Sequence, residues 1–275
     1  MNVVSFGGGV NSTAMLIGLH ERGEKVDLIL FADTGGEKPH TYAHVLEMSE
    51  WLVAHGMPQI TTVRVKSTTL EGDCLKRNAL PSVAYGFKTC SQRFKAEPQE
   101  KLLRQNGIKE FTKLIGFDAD EPQRAKPYPG NRYPLIEWGW GRDECIEAID
   151  RAGITQPGKS ACFFCPSSKK KEILELRRVY PDLAARAVAM ERNALGPKCD
   201  VCGGRGFSST ASEALLWASG GDGNCPKCKG TGHEAQSIKG LGRNFAWADL
   251  YDADDRQVDM FGHSGIEIDC GCYDG

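Results

Sequence analysis

Val3-Val4-Ser5-Phe6-Gly7-Gly8-Gly9-Val10-Asn11-Ser12-Thr13 opens the chain with an apolar run, three glycines and a polar segment. An apolar run broken by glycine and followed by Asn11 and Ser12, both good N-caps, reads as a strand turning into a helix. Ala14, Met15, Ile17, Gly18 and Leu19 give that helix an apolar face to about Arg22, and Gly23 can end it. Consecutive glycines allow a concave turn with inward-pointing N–H groups, and the helix N-terminus adds positive potential. The stretch from Ser5 to Thr13 is therefore a candidate phosphate loop. Gly7, Gly8 and Gly9 offer amides, and Ser5, Asn11, Ser12 and Thr13 offer polar side chains. A tight glycine turn without a ligand is the alternative.

The same alternation continues outward. Residues 26–32 (VDLILFA) are almost continuously apolar, as expected of a strand buried on both faces. Residues 40–55 read as a helix with Val45, Leu46, Met48, Trp51 and Leu52 inward. Residues 60–65 read as a strand, 97–105 as a helix and 111–116 as a strand ending at glycine. This order predicts an α/β fold: a parallel twisted sheet with right-handed crossovers and helices on both faces. Ligands in such sheets sit beyond the carboxyl ends of the strands, at a switch point. The turns at Gly7 to Gly9, at Gly35-Gly36 and at Gly116 all fall there, so Ala32, Asp33, Thr34 and Gly116 join the candidate site.

A chain of 275 residues, 40% hydrophobic and 25% charged, can hold one generous domain and a small module. The net charge of -2 gives no chain-wide case for nucleic acid. Lys169, Lys170, Lys171, Arg177 and Arg178 form a local basic run on a helix, a solvated face or a phosphate track. No apolar stretch approaches the ~20 residues that span a bilayer, and the start lacks a positive leader. A cytoplasmic protein with no membrane partner is expected.

The 11 cysteines are then metal or catalytic candidates rather than a disulfide framework. Cys162-Phe163-Phe164-Cys165-Pro166 sets two thiols one turn apart with proline after the second, a pattern found at iron–sulfur ligands; zinc is the alternative. Cys199, Cys202, Cys225 and Cys228 belong to two copies of C-x-x-C-x-G-x-G. Four thiolates close a tetrahedral structural zinc site with no open position. Cys74 and Cys145 read as buried small hydrophobes. Composition turns rich in glycine, serine and cysteine at 196. The expected organisation is a nucleotide-binding catalytic domain over 1–195, a zinc-knuckle insertion over 196–240, and a segment over 241–275 returning to the main domain. That last segment regains apolar character at 245–250 and ends in a cysteine tail.

The loop resembles that of the PP-loop superfamily, the N-type ATP pyrophosphatases and their sulfonucleotide-reductase relatives. Their Ser-Gly-Gly-x-Asp-Ser is here Gly7-Gly8-Gly9-Val10-Asn11-Ser12. Gly7 replaces a serine. Asn11 replaces an aspartate, which weakens a Mg²⁺ contact through the loop and the case for cleaving ATP between its α and β phosphates. Asp33-Thr34-Gly35 is similar to the segment after the second strand in the phosphoadenosine phosphosulfate reductase branch, which meets adenine through backbone groups. Gly116 to Arg124 resembles that branch's Gly-x-x-x-x-Glu-x-x-Arg, and Tyr133 to Trp138 also fits. The resemblance spans about 1–166 and implies an adenine nucleotide alpha hydrolase-like fold. It places Arg124 on an anion; a salt bridge to Asp118, Asp120 or Glu121 is the other reading.

Cys90-Ser91-Gln92-Arg93-Phe94-Lys95 resembles a region of the assimilatory reductases in which two adjacent cysteines join a downstream C-x-x-C at a [4Fe–4S] cluster. Ser91 leaves Cys90, Cys162 and Cys165 one ligand short; Cys272, Cys270, Cys145 or Cys74 must complete the set, and the terminal pair is favoured. Lys95 and Arg93 would lower nearby thiol pKa values. Asp269-Cys270-Gly271 resembles the Glu-Cys-Gly motif whose cysteine attacks sulfate sulfur, which conflicts with a ligand role for the same tail. The two knuckles resemble the repeats of DnaJ-type chaperones, and two of them imply one zinc.

These readings converge on an adenine-nucleotide-dependent enzyme using ATP or phosphoadenosine phosphosulfate, with a [4Fe–4S] cluster, Zn²⁺ and Mg²⁺. One version adenylates an oxygen on tRNA or DNA so that sulfur displaces AMP, with a sulfur or electron donor protein as partner. In the reductase version Cys270 attacks sulfur, and Lys95 and Arg124 neutralise developing charge. A non-catalytic nucleotide sensor is the third reading.

Overall fold

Val3, Val4 and Phe6 of strand β1 (Asn2–Phe6) are buried because β1 is the middle of a five-stranded sheet. The computed structural model describes residues 1–81, 89–204, 207, 224–230, 232, 233 and 239–261, with side chains to 256. The sheet runs β3-β2-β1-β4-β5, with β2 Leu28–Ala32, β3 Ile60–Val63, β4 Thr112–Ile115 and β5 Asn131–Arg132. Every pairing is parallel. The apolar run at 26–32 is explained by β2's place between β1 and β3, although its ladder begins at Leu28. β5 has two residues, too few for alternation to be legible.

The chain passes from β1 through helix α1 (Val10–Glu21) to β2, and through α2 (Pro39–Ala54) to β3 at one edge. Helix α3 (Leu70–Lys76), a π-helical turn Gln92–Ala96 and α4 (Glu97–Gln105) then bring it back to β4, on the other side of β1. The direction of winding reverses between β1 and β4, which makes that junction the switch point. A single turn Pro134–Glu137 and helix α5 (Arg142–Arg151) complete this part.

Alternation along β1 sends Val4 and Phe6 to one face and Val3 to the other. The first face packs Met15, Leu16 and Leu19 of α1, Met48 and Leu52 of α2, and Cys145 and Ile149 of α5. The second packs Leu103 of α4 with Val3, Leu30, Ala32 and Val63. Helices cover both faces, as the sequence predicts. α1 is buried along most of its length, from Val10 to Leu19, so it carries no polar stripe.

The chain divides into two compact units, Met1–Cys165 and Pro166–Gly275. The division precedes the change of composition at 196, because α6 (Lys170–Val179) and α7 (Pro181–Leu195) belong with α8 (Trp247–Phe261). Glu191 of α7 is buried and accepts the N–H groups of Leu241, Trp247 and Ala248 at 2.7, 2.9 and 3.1 Å. Tyr251 donates its hydroxyl to the Ile173 carbonyl at 3.1 Å. Residues 245–250 are thus packed within the second unit, a correction to their expected return to the first. No helix among the described residues is long and apolar enough to cross a membrane.

Candidate functional site

The glycines after β1 and β4 bring two strand ends together. Gly8 has φ +71°, the left-handed region, and a Cβ there would lie 3.0 Å from Thr41 Cγ2. A Cβ on Gly116 would lie 3.1 Å from both the backbone nitrogen and the Cα of Ser12. The turn after β4 is therefore pressed against the first turn of α1 with no side chain between. Ser160 closes a third side, its hydroxyl 2.8 Å from the position of a Cβ on Gly9.

Within this crevice the loop amides point inward. Gly7 and Gly9 donate N–H bonds to Ser12 Oγ at 3.2 and 3.4 Å, and Ser12 donates to the Gly9 carbonyl at 3.0 Å. Ser12 thus occupies the N–H donors of Gly7 and Gly9. Two expected hydroxyl donors are turned elsewhere. Thr13 Oγ1 shares a 2.8 Å hydrogen bond with His44 Nε2, both residues buried, and burial keeps His44 below its ordinary pKa. Ser5 donates to Gln99 Oε1 at 3.2 Å and so ties β1 to α4.

Asn11 faces a carboxylate. Its Nδ2 donates to Asp118 Oδ2 at 2.7 Å, Asp118 also accepts the Glu121 N–H at 3.1 Å, and Arg142 donates to Asn11 Oδ1 at 3.4 Å. An acid thus stands opposite position 11 at Asp118, and a second acid so close would repel it. Arg124 takes the bland alternative: it pairs with Glu121 and lies 4.4 Å above the Phe117 ring.

At the end of β2, Asp33 shapes its own turn, accepting from Gly35 N–H at 2.7 Å and Tyr42 hydroxyl at 2.8 Å and pairing with Arg64 at 3.1 Å. Cys162-Phe163-Phe164-Cys165 lies antiparallel on this turn through a Glu37–Cys162 bridge and a 2.8 Å bond from Phe163 N–H to the Gly36 carbonyl. Thr34 Oγ1 is 3.2 Å from Cys162 Sγ. Phe164 fills the space above Gly36, where a Cβ would lie 2.7 Å from its ring.

Lys95, in the π-helical turn, pairs with buried Glu37 at 3.0 Å, and Glu37 Oε1 is 4.0 Å from Cys162 Sγ. Burial pushes the Cys162 thiol up to about 12 and Glu37 adds to this, so the opposing charge of Lys95 is outweighed. That corrects the expectation of a lowered thiol pKa here. Burial alone would lower Lys95, but Glu37 and Cys162 hold it above its ordinary value.

Arg93 is committed to Asp73 at 3.2 Å. Cys90 is half-buried and lines a small cavity of about 50 Å³ with Cys74, Arg93 and Phe94. Cys74 and Cys145 are fully buried, with burial pushing their thiols up to about 11 and about 12, and Cys145 lies in the same core cluster as Leu16 and Ile149. Cys270 and Cys272 lie outside the described residues.

The second unit brings Cys199, Cys202, Cys225 and Cys228 together with their Sγ atoms all within 4.8 Å of one another. Cys199–Cys225 is 3.8 Å and Cys202–Cys228 is 3.7 Å between sulfurs. Thiolates about 2.3 Å from a tetrahedral zinc are about 3.8 Å apart. The quartet therefore fits that ion. Gly204 and Gly230 have φ +88° and +90°, which curls each knuckle, and Gly232 donates its N–H to Cys228 Sγ at 3.3 Å. His233 bonds the Gly196 carbonyl at 3.2 Å and stays out of the quartet.

Asp118, Arg142, Ser160, His44 and Glu37 were not singled out by sequence as site residues. Asp118 had entered only as a salt-bridge partner.

No family model matches this chain. The uncharacterised nin region protein ORF290 of Escherichia phage lambda is 33% identical over 157 residues, covering 48% of this chain and 53% of that protein. The chain spans about half the length of this curated relative. The phosphoadenylyl-sulfate reductase of Candida auris, in a phosphate complex, is 16% identical with a TM-score of 0.42, covering 59% of this chain and 81% of that one. A U34-tRNA thiolase of Methanococcus maripaludis with its [4Fe-4S] cluster is 16% identical with a TM-score of 0.40, covering 73% and 75%. Likeness at this level extends to neither activity nor ligand.

Proposed function

We propose that this chain is a PP-loop enzyme of the phosphoadenosine phosphosulfate reductase-like kind that uses ATP to activate an oxygen of a nucleic acid for replacement by sulfur. The observation that carries the reading is the contact of Gly116 with the first turn of α1. It brings the two glycine turns into direct backbone contact at the switch point, beside the turn on which Cys162 is docked. Amides of Gly7 to Gly9 and the Ser12 hydroxyl would hold phosphate, with Arg142 at the rim. Backbone groups from Ala32 to Thr34 and Gly116 would frame adenine and ribose. Asp118 is the acid that faces Asn11, and Mg²⁺ bound there would replace its hydrogen bonds from Asn11 and Glu121.

Substrate oxygen attacks the α-phosphate, pyrophosphate leaves, and sulfur then displaces AMP. A [4Fe–4S] cluster held by Cys162, Cys165 and Cys90 would supply a soft site for the sulfur donor. The zinc quartet is a structural staple of the second unit.

A nucleic acid is favoured as second substrate by charge asymmetry. Residues 61–115 carry 11 lysines and arginines against 5 carboxylates, although the whole chain is at -2. Arg64, Lys66, Arg93, Lys101 and Arg104 line a groove of about 610 Å³ that reaches the end of β3. Of these cations, Arg64, Arg93 and Arg104 pair with Asp33, Asp73 and Glu100.

Calorimetric titration with ATP and phosphoadenosine phosphosulfate, followed by product analysis with tRNA and DNA present, tests the reading. AMP and pyrophosphate from ATP support it. Sulfite from phosphoadenosine phosphosulfate would instead establish the reductase, and tight binding without turnover the sensor.

A further inference from the structure

The first unit buries four carboxylates among the described residues: Asp33, Glu37, Asp73 and Asp118. Three have both oxygens engaged, Asp33 by Gly35, Tyr42 and Arg64, Asp73 by Arg77 and Arg93, and Asp118 by Asn11 and Glu121. Glu37 is the exception. Its Oε1 takes Lys95 at 3.0 Å, while Oε2 is buried with no hydrogen-bond partner among the described residues. Buried acceptors are rarely left unpaired, so an orphan oxygen points to a partner that is not a protein group.

The surroundings say which kind. Cys162 Sγ lies 4.0 Å from Glu37 Oε1 and is steadied by Thr34 Oγ1 at 3.2 Å. Residues 37 and 162 are bridged through their backbones, and Cys165 follows one tight turn later, its N–H bonded to the Cys162 carbonyl at 3.0 Å. Glu37, Cys162 and, one tight turn on, Cys165, with an ammonium to balance charge, are donors of the mixed oxygen–sulfur kind, and the 4.0 Å approach of Cys162 is to Oε1, the oxygen that Lys95 holds.

We propose that Glu37 Oε2 ligates iron of the cluster alongside Cys162 and Cys165, with Lys95 held on Oε1. The inference rests on the cluster in the preceding reading. It supplies the ligand missing at Ser91 without drawing on Cys270 or Cys272, and ligation by Cys90, Cys162 and Cys165 releases three thiol protons to solvent.

The test uses the full chain, reconstituted anaerobically with ferrous iron and sulfide. Iron content, the electron paramagnetic resonance spectrum of the reduced protein and the rate of iron loss to a chelator are compared for wild type, Glu37→Gln and Glu37→Cys. Glu37→Gln is expected to lose iron at least about ten-fold faster, with shifted g values. Glu37→Cys should keep its iron and show the spectrum of an all-thiolate centre, and it carries the test should the glutamine variant misfold. Glu37→Gln with unchanged iron content, spectrum and chelation rate would overturn Glu37 ligation and leave the cluster standing. A wild-type chain that takes up no iron would overturn both.

Discussion

Replacing Gly116 by alanine puts one methyl group where the loop argument allows none. The new Cβ would meet Ser12 N and Cα at 3.1 Å and the Asn11 carbonyl carbon at 3.2 Å. These are backbone atoms of a buried helix start, so the conflict cannot be relieved by turning a side chain. Gly116 does not have positive φ, so the effect is packing rather than backbone strain. Overpacking of this kind costs about 1–3 kcal/mol of folding stability. A retreat of α1 by a few tenths of an ångström also misaims the amides of Gly7 and Gly9, for which we expect about ten-fold weaker ATP binding, roughly 1.4 kcal/mol. Gly7→Ala is the comparison, because its Cβ has nothing nearer than Ser12 Oγ at 3.8 Å. It should keep wild-type stability to within about 0.5 kcal/mol. Urea denaturation and calorimetric titration with ATP read both quantities. A Gly116→Ala protein with unchanged stability and ATP affinity would show that the β4 turn and the loop do not meet.

Asn11→Asp should lose about 1.5–3 kcal/mol near neutral pH, because it replaces a hydrogen bond to Asp118 by a second negative charge. Repulsion raises the folded-state pKa of that pair, so the loss is present above the raised value and recovers as pH falls through it; melting curves at pH 8 and pH 5 would show the sign. Glu191→Ala should destabilise the second unit by about 2–4 kcal/mol, since three N–H groups lose a charged acceptor, and protease susceptibility of 166–261 would report it. Removing metal with a strong chelator should release about one zinc per chain and expose the four knuckle cysteines to alkylation; no zinc by mass spectrometry would refute that site. Lys66→Glu with Lys101→Glu should weaken binding of a single-stranded oligonucleotide and reduce the slope of log affinity against log salt by about 0.7 for each phosphate no longer neutralised, whereas an unchanged slope would remove the groove from the reading.

Much of the first unit was legible locally. Apolar runs at 26–32 and 60–65, helical periods at 14–19 and 45–52, and glycine in the turns after β1, β2 and β4 encode a parallel sheet through short-range sterics and period. The quartet was legible for the same reason: a C-x-x-C-x-G-x-G repeat specifies its own curl. Strand β5 was not, because two residues carry no alternation, nor was the alliance of α6 and α7 with α8, whose partners lie far along the chain.

The site itself was split along the same line. Gly7 to Gly9, Gly116 and the C-x-x-C pair announce themselves by residue type and spacing, since Gly8 sits at positive φ, Gly116 has no room for a Cβ, and paired cysteines offer soft thiolate ligands. Which polar atom faces which was decided by tertiary structure. Thr13 finds His44 across 31 residues, Asn11 finds Asp118 across 107, and Thr34 finds Cys162 across 128. Those pairings arise where crossovers bring distant strand ends together, and no local period records them. The sequence by itself determined a sheet with a glycine-lined crevice and a thiolate quartet. Only the packed fold decided that Ser12 fills the loop, that Asn11 faces the carboxylate of Asp118, and that Glu37 keeps one oxygen unpaired beside Cys162.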